Sequence, residues 1–173
     1  MSQTTYTLSQ LNGMDAAQFV QVLGGIYEHS PWVAEQAASQ RPFASADALA
    51  NAMRHAVDNA GEGPQLALVR AHPELAGKAA VRGELTAEST REQSGAGLNQ
   101  CTPEEFARLQ DLNARYNEKF GFPFILAVRG YDRHGIIEAF AKRVENDRDT
   151  ELRTSLEQIH RIAGFRLHDL ISG

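Results

Sequence analysis

A histidine next to a proline is the first group in this 173-residue sequence that could carry out acid–base chemistry. Because Pro73 disfavours helical backbone in the residue before it, the sequence predicts a helix that ends close to His72. The helix dipole favours the protonated form of an imidazole at a helix C-terminus, and such a group can exchange protons near neutral pH. A surface histidine that only marks a helix end is the ordinary alternative.

Three polar residues further along the chain could share a site with that histidine. Ser89, Glu92 and Gln93 have the i, i+3, i+4 spacing that places side chains on one face of a helix. They offer a hydroxyl, a carboxylate and a carboxamide, which suit a planar polar ligand. A carboxylate beside the histidine would raise its proton affinity and orient it. A solvated helix face, with Glu92 as an ordinary acid near a helix start, explains the same spacing.

One arginine of the predicted last helix lies on an apolar stripe. The apolar positions of this helix are Leu152, Leu156, Ile159, Ala163 and Leu170. At 100° per residue, Arg166 falls on their side and Arg161 falls on the opposite side, toward solvent. A buried guanidinium needs a partner, which is either an internal carboxylate or an anionic ligand held bidentately. An internal ion pair, or an arginine that reaches out to the surface, fits the spacing equally well.

Metal, nucleotide and cysteine chemistry have little support. No two of the six histidines are four residues apart and no Cys-x-x-Cys is present, so we expect no metal site. The glycines form no phosphate-binding fingerprint, so we expect no nucleotide cofactor. The single cysteine, Cys101, precedes a helix start and has no histidine near it in the chain. It is interpreted as an unreactive small residue rather than a nucleophile.

Length and charge restrict the class of protein. A chain of 173 residues fits one domain, so we expect a single domain over residues 1–173. The net charge of −5 and the scattered basic residues argue against nucleic acid as a partner. The longest apolar stretches are far too short to span a membrane. With no signal peptide and no peroxisomal C-terminal tripeptide, we expect a cytoplasmic protein.

Apolar periodicity and capping residues predict an all-α fold. The predicted helices follow Asp15, begin at Pro31, follow Ser45, cover residues 65–71, include Ser89, run from Pro103 to Phe120, and surround Phe140 and Ile159. Residues 61–64 are expected to separate the third helix from the fourth. Residues 122–128 could pass for a buried strand, but no partner strands are apparent, so an extended or short helical segment is more consistent with the rest of the chain.

Five motifs between about Leu11 and Leu170 carry a family resemblance. They are E-H-S-P-W-V from Glu28, R-P-F from Arg41, A-H-P-E-L-A-G from Ala71, L-T-x-E-S-x-x-E-Q with A-G-L from Leu85, and K-F-G-F-P-F-I from Lys119. In this order the motifs closely resemble the OHCU decarboxylase family, in which OHCU is 2-oxo-4-hydroxy-4-carboxy-5-ureidoimidazoline.

The resemblance implies an all-helical, homodimeric enzyme that removes the carboxylate of OHCU and protonates the resulting carbon, giving (S)-allantoin in urate degradation. It implies no cofactor, since the ring C=N group can accept the electron pair of the breaking bond. His72 is implied as the catalytic acid/base and Glu92 as its partner. The implied substrate-binding residues are Pro73, Ser89, Gln93, Phe124, Ile125, Leu126, Ala127, Val128 and Arg166. Arg161 is a weaker candidate for the last position.

Two other hypotheses fit the same residues. The first is a metal-free hydrolase or isomerase of a related ureide, which would use His72 and Glu92 as acid and base. The second is a helical binding or scaffold protein whose polar cluster forms an interface. Release of CO2 distinguishes the decarboxylase from the first alternative, and a silent substitution of His72 would favour the second.

Overall fold

Helices account for the regular structure of the computed structural model, which describes residues 4–77 and 83–172. The helices of these residues are α1 Leu8–Gly13, α2 Ala16–Leu23, α3 Pro31–Ala38, α4 Ala46–Asp58, α5 Glu62–Ala71, α6 Ala87–Gly95, the 3-10 helix η1 Leu98–Gln100, α7 Pro103–Phe120, α8 Arg133–Arg143 and α9 Arg148–Leu170. Within the described ranges the extended pairing consists of one isolated bridge between Tyr6 and Ile171. The predicted all-α class is confirmed.

The described chain divides into two units. Residues 4–71 and 160–172 form the first, and residues 72–77 and 83–159 form the second. The boundary therefore falls inside α9, after Ile159. The expectation of one domain over residues 1–173 stays a prediction. None of the helices in the described part is long and apolar enough to cross a membrane.

In the first unit, α3 packs against both α2 and α4. The residues that fill this core include Leu11, Phe19, Leu23, Val33, Leu49, Met53 and Val57, all fully buried. Asp15 and Ser45 cap α2 and α4 by accepting backbone N–H groups of the first turn, and Pro31 occupies the first position of α3. These three helix starts confirm the predictions.

Two boundaries of the first unit differ from the prediction. The sequence reasoning placed its first helix after Asp15 and missed α1, which Thr7 and Gln10 begin with reciprocal side-chain to backbone hydrogen bonds. The separation over residues 61–64 is also wrong, because α5 begins at Glu62. Pro64 is tolerated there because the first turn of a helix has no acceptors for its N–H groups, so the missing donor costs nothing.

In the second unit, aromatic rings surround the Tyr116 side chain. The rings of Phe120, Phe122, Phe124 and Phe140 lie 4.5, 5.9, 5.5 and 5.8 Å from it, between ring centroids. Helix α7 begins at the predicted residue, Pro103, with a capping box of Thr102 and Glu105, and it ends where Gly121 adopts a left-handed φ of 77°.

The buried segment after Gly121 contains neither helix nor strand. All of residues 122–128 are buried, as expected for a stretch of this composition. Of the alternatives, the strand and the short helix are therefore both wrong. The segment gets its order from side chains of α8 and α9, which bind its backbone.

Candidate active site

His72 directly follows the last residue of α5, so the predicted helix end is confirmed. The residue is only 7% exposed. The alternative of an ordinary surface histidine is therefore wrong, because burial takes the imidazole out of bulk water. A buried imidazole whose surroundings fix its orientation can transfer a proton in a defined direction.

Helix α6 presents the polar triplet. Thr86 begins this helix by accepting the N–H of Ser89 at 3.1 Å. Ser89 and Gln93 are 4% and 6% exposed, and Glu92 is partly buried. The solvated-face alternative fails for the first two, since both side chains point into the protein. This burial is consistent with the prediction that the three residues share one face of the helix.

The carboxamide of Gln93 joins α6 to the segment that follows His72. Its Oε1 accepts the backbone N–H of Ala76 at 2.9 Å, and its Nε2 donates to the backbone oxygen of Glu74 at 3.3 Å. Gln93 therefore fixes where the histidine segment lies relative to the helix that carries Ser89 and Glu92. Its role in substrate binding stays a prediction.

Three carboxamides of α7 bind the same segment from another side. They donate from Gln110 Nε2 to Ala76 O at 2.7 Å, from Asn113 Nδ2 to Leu75 O at 3.0 Å, and from Asn117 Nδ2 to Glu74 Oε1 at 2.7 Å. The sequence reasoning missed these residues. Their i, i+3, i+7 spacing on an otherwise apolar helix face is the signal that would have found them.

Side chains of α8 and α9 fix the backbone of residues 122–128. Arg143 Nη1 donates to the backbone oxygen of Ile125, and Gln158 Oε1 accepts the N–H of Ala127 at 3.0 Å. The guanidinium carbon of Arg143 also lies 4.5 Å from the centroid of the Phe124 ring. The side chains of Arg143 and Gln158, which the sequence did not point to, thus fix the segment whose residues 124–128 are predicted to bind substrate.

A buried carboxylate holds Arg143 in turn. Glu151 is fully buried and accepts hydrogen bonds from Tyr116 Oη at 2.5 Å, Arg143 Nε at 2.9 Å and Asn146 Nδ2 at 2.9 Å. Three donors satisfy the charge of Glu151 inside the core. Burial, and then the hydrogen bond to Glu151, raise the pKa of Tyr116 far above its ordinary value.

Arg166 lies in the first unit and has an internal partner. The side chain is 5% exposed, whereas Arg161 is exposed, as the helical spacing predicted. Its Nη2 lies 3.0 Å from Glu28 Oε2, and its Nη1 donates to Gly25 O at 3.1 Å. The sequence left an internal carboxylate or an anionic ligand as the partner of Arg166, and in the structure its partner is the carboxylate of Glu28. Binding of substrate by Arg166 stays a prediction.

A cavity of about 570 Å³ lies beside Gln93 and includes Cys101 in its lining. Burial is the larger cause that raises the pKa of the Cys101 thiol, and the negative charge of the nearby Glu105 carboxylate raises it further. The thiolate is the nucleophilic form, so this shift favours the interpretation as an unreactive residue. Among the described residues, no group of three or more His, Cys, Asp or Glu side chains is arranged to hold a metal ion.

Comparisons with known proteins agree on one family. The family model for OHCU decarboxylase matches residues 12–168. A 2-oxo-4-hydroxy-4-carboxy-5-ureidoimidazoline decarboxylase of Haloferax volcanii is 45% identical over 96% of both chains. The enzyme of that name from Mus musculus is 43% identical over 94% of this chain and 91% of its own.

Two solved structures resemble the fold. One is a crystal structure of (S)-allantoin synthase with a TM-score of 0.79 and 32% identity, which covers 96% of this chain and 54% of that one. The other is OHCU decarboxylase crystallised in the presence of (S)-allantoin, with a TM-score of 0.70 and 22% identity over 92% of this chain and all of that one. By sequence match, and in agreement with this fold, the chain belongs to the OHCU decarboxylase family.

Proposed function

We propose that this protein is a cofactor-independent decarboxylase that converts OHCU to (S)-allantoin and CO2. The observation that carries the proposal is the buried His72 segment, which Gln93 joins to the helix that bears Ser89 and Glu92. The acid/base group, the carboxylate and the hydroxyl thus belong to two segments of one unit that the Gln93 carboxamide joins by hydrogen bonds. The curated relatives named above are decarboxylases of the same compound.

The reaction needs a place for one electron pair and one proton. When the bond to the carboxylate breaks, its electron pair moves into the adjacent ring C=N system and neutral CO2 leaves. His72 then delivers a proton to one face of the carbanionic carbon, and Glu92 orients the imidazole. Delivery from one side gives a single enantiomer. A site poor in water also favours loss of charge from the carboxylate.

The backbone of residues 124–128 supplies the second part of the proposed site. The C=O of Ile125 and the N–H of Ala127 already have protein partners. Leu126 is 5% exposed, and within the described residues neither its N–H nor its C=O takes part in a hydrogen bond. Phe124, which is fully buried, shares this property. Buried backbone groups are rarely left unpaired, so the backbones of Phe124 and Leu126 are proposed to bind the amide-like edge of the ring.

Ser89 and Gln93 are proposed to bind the polar groups of the ureido chain and ring, beside Pro73 and Val128. The assignment of Arg166 as the residue that holds the anionic substrate rests on the family resemblance alone. A homodimer is likewise inferred from the resemblance, and a cytoplasmic location stays an expectation. Sedimentation equilibrium of the purified protein would test the dimer, and a mass equal to one chain would refute it.

Circular dichroism during turnover tests the proposed function. Freshly generated OHCU is mixed with the wild-type protein or with a His72→Asn variant of equal helical content, and the signal of optically active allantoin is followed. We expect fast formation of one enantiomer by the wild type alone, with release of CO2. Racemic product at the protein-free rate would refute the decarboxylase, and a fully active variant would refute the role of His72.

A further inference from the structure

The three α7 carboxamides contact the histidine segment in register. Successive donors along the helix, at positions 110, 113 and 117, bind successive residues of the segment in reverse order, at positions 76, 75 and 74. Asn117 Nδ2 is itself oriented by a second bond, to Asn113 O at 2.8 Å. This register fixes the segment along its length, because a shift by one residue would break all three bonds at once.

Asn113 is the most buried of these donors and has an unsatisfied acceptor. The residue is 3% exposed, and within the described structure its Oδ1 has no hydrogen-bond partner. A buried acceptor without a partner destabilises the folded state. An apolar side chain of similar size would avoid that cost. The favourable contact of the Asn113 carboxamide is therefore the hydrogen bond that its Nδ2 donates to Leu75 O.

The chain between Leu75 and His72 is short and stiff. Only Pro73 and Glu74 separate the two residues, and Pro73 has a fixed φ. On the far side of Leu75, Ala76 adopts a φ of 53°, which is unusual for a residue with a side chain. With so few backbone torsions between them, a displacement of the Leu75 carbonyl is carried toward His72. Small displacements of a reacting group reduce turnover strongly.

We propose that Asn113 is a positioning residue, which sets the direction of the His72 imidazole by holding the backbone oxygen of Leu75. Gln110 and Asn117 support the same segment on either side. The inference rests on the proposed function for its kinetic consequence, since it assumes that His72 transfers the proton. Its structural part, the orientation of the imidazole, does not depend on the reaction.

The first test compares Asn113→Leu with a matched variant, Asn12→Leu. Asn12 also binds backbone from a partly buried position, with Nδ2 3.0 Å from Phe43 O and Oδ1 2.8 Å from Phe43 N, but it belongs to the first unit. In Asn113→Leu we expect kcat to fall about tenfold or more with little change in KM. Proton transfer depends on the direction of the His72 imidazole, whereas substrate binding does not. The melting temperature should change less than in Asn12→Leu, whose kcat stays at the wild-type value.

An Asn113→Leu variant with wild-type kcat, or one whose activity falls only as its folded fraction falls, would overturn the proposal. If this variant does not fold, Gln110→Ala removes the half-buried neighbouring bond and should lower kcat by a few fold. An unchanged kcat in Gln110→Ala would then count against the positioning of His72.

The second test uses NMR without substrate. The ring signals of His72 are assigned by their loss in His72→Asn, and their positions are followed with pH in both leucine variants. We expect altered His72 signals and an altered titration in Asn113→Leu only. Unchanged His72 signals there would overturn the inference, whereas an inactive wild-type protein would refute the proposed function and leave this test intact.

Discussion

Arg166 Nη2 lies 3.0 Å from Glu28 Oε2, and the two side chains are 5% and 2% exposed. The same guanidinium donates to the backbone oxygen of Gly25. Charges that have lost their water are stable only when each has a partner of opposite charge and good geometry. The pair therefore holds the loop before α3 to the C-terminal helix, inside the first unit.

Glu28→Gln should destabilise the protein by about 3–5 kcal/mol, since it removes the negative charge that lies against a buried guanidinium. The matched control is Glu138→Gln, which breaks the exposed pair with Lys142 at 3.3 Å and should cost about 0.5 kcal/mol or less. Urea unfolding measures both free energies. Equal losses in the two variants would show that the buried pair contributes no more than a surface pair.

Gly77→Ala should disturb the histidine segment. A Cβ at this position would lie 2.7 Å from Glu74 Cβ and 3.0 Å from Glu74 Oε2, in the carboxylate that accepts from Asn117. The turn must open, so we expect a loss of about 1–3 kcal/mol and a fall in kcat of about tenfold. Urea unfolding and steady-state kinetics with OHCU measure the two effects.

Gly95→Ala is the control for this prediction. A Cβ at Gly95, the last residue of α6, meets no atom within 4 Å. Alanine is the better helix former, so this variant should be as stable as the wild type or up to about 1 kcal/mol more stable, with unchanged kcat. A Gly77→Ala variant that behaves like Gly95→Ala would contradict the crowding argument.

Helix starts could be predicted from the sequence because their signals are local. Asp15, Ser45 and Thr102 each bind a backbone N–H only three residues away, so a short stretch of sequence contains both partners. Helix α1 has the same kind of signal in Thr7, but this residue lies in a polar terminus that has little apolar periodicity. The start of α5 is harder to predict, because a proline can mark either a boundary or the first turn of a helix.

The contacts that order the candidate site could not be predicted in this way. Asn113 lies 38 residues from Leu75 in the chain, and Glu28 lies 138 residues from Arg166. Helical spacing predicted that Arg166 is buried, but it left open whether a carboxylate or a ligand is the partner. Such pairings depend on how helices pack, which periodicity does not determine.

Two of the four tyrosines should resist ionisation until the protein unfolds. Burial raises the pKa of Tyr27 and of Tyr116 well above the ordinary value near 10, and a hydrogen bond to Glu151 adds to the effect at Tyr116. Because the folded-state pKa is raised, the neutral phenols stabilise the fold below pH of about 10, and this contribution is lost as the pH rises further.

Absorbance at 295 nm and helical circular dichroism, followed together as the pH rises, test this prediction. We expect the last part of the tyrosinate signal to appear with the loss of helix. In Tyr27→Phe and in Tyr116→Phe that late step should be smaller. Complete ionisation of all tyrosines while the helical signal is intact would contradict the burial argument.

Glu105 should make the stability of α7 depend on acid pH. The backbone N–H of Thr102, which donates to its Oε1 at 2.9 Å, is the main cause that lowers the pKa of this carboxyl, and Arg133 and His134 lower it further. Because the folded-state pKa is lowered, the carboxylate stabilises the fold at pH values above its ordinary pKa. That contribution is lost as the pH falls through the folded-state pKa.

Glu105→Gln keeps an oxygen for the Thr102 N–H but removes the charge. The variant should therefore be less stable than the wild type at pH 7, and the difference should shrink as the pH is lowered toward 3, measured by urea midpoints. The capping box of α1 offers the reverse change, since Gln10 has the matching position and Gln10→Glu should gain a contribution that is present at pH 7 and lost in acid. A Glu105→Gln difference that stays constant or grows on acidification would show that the charge does not contribute.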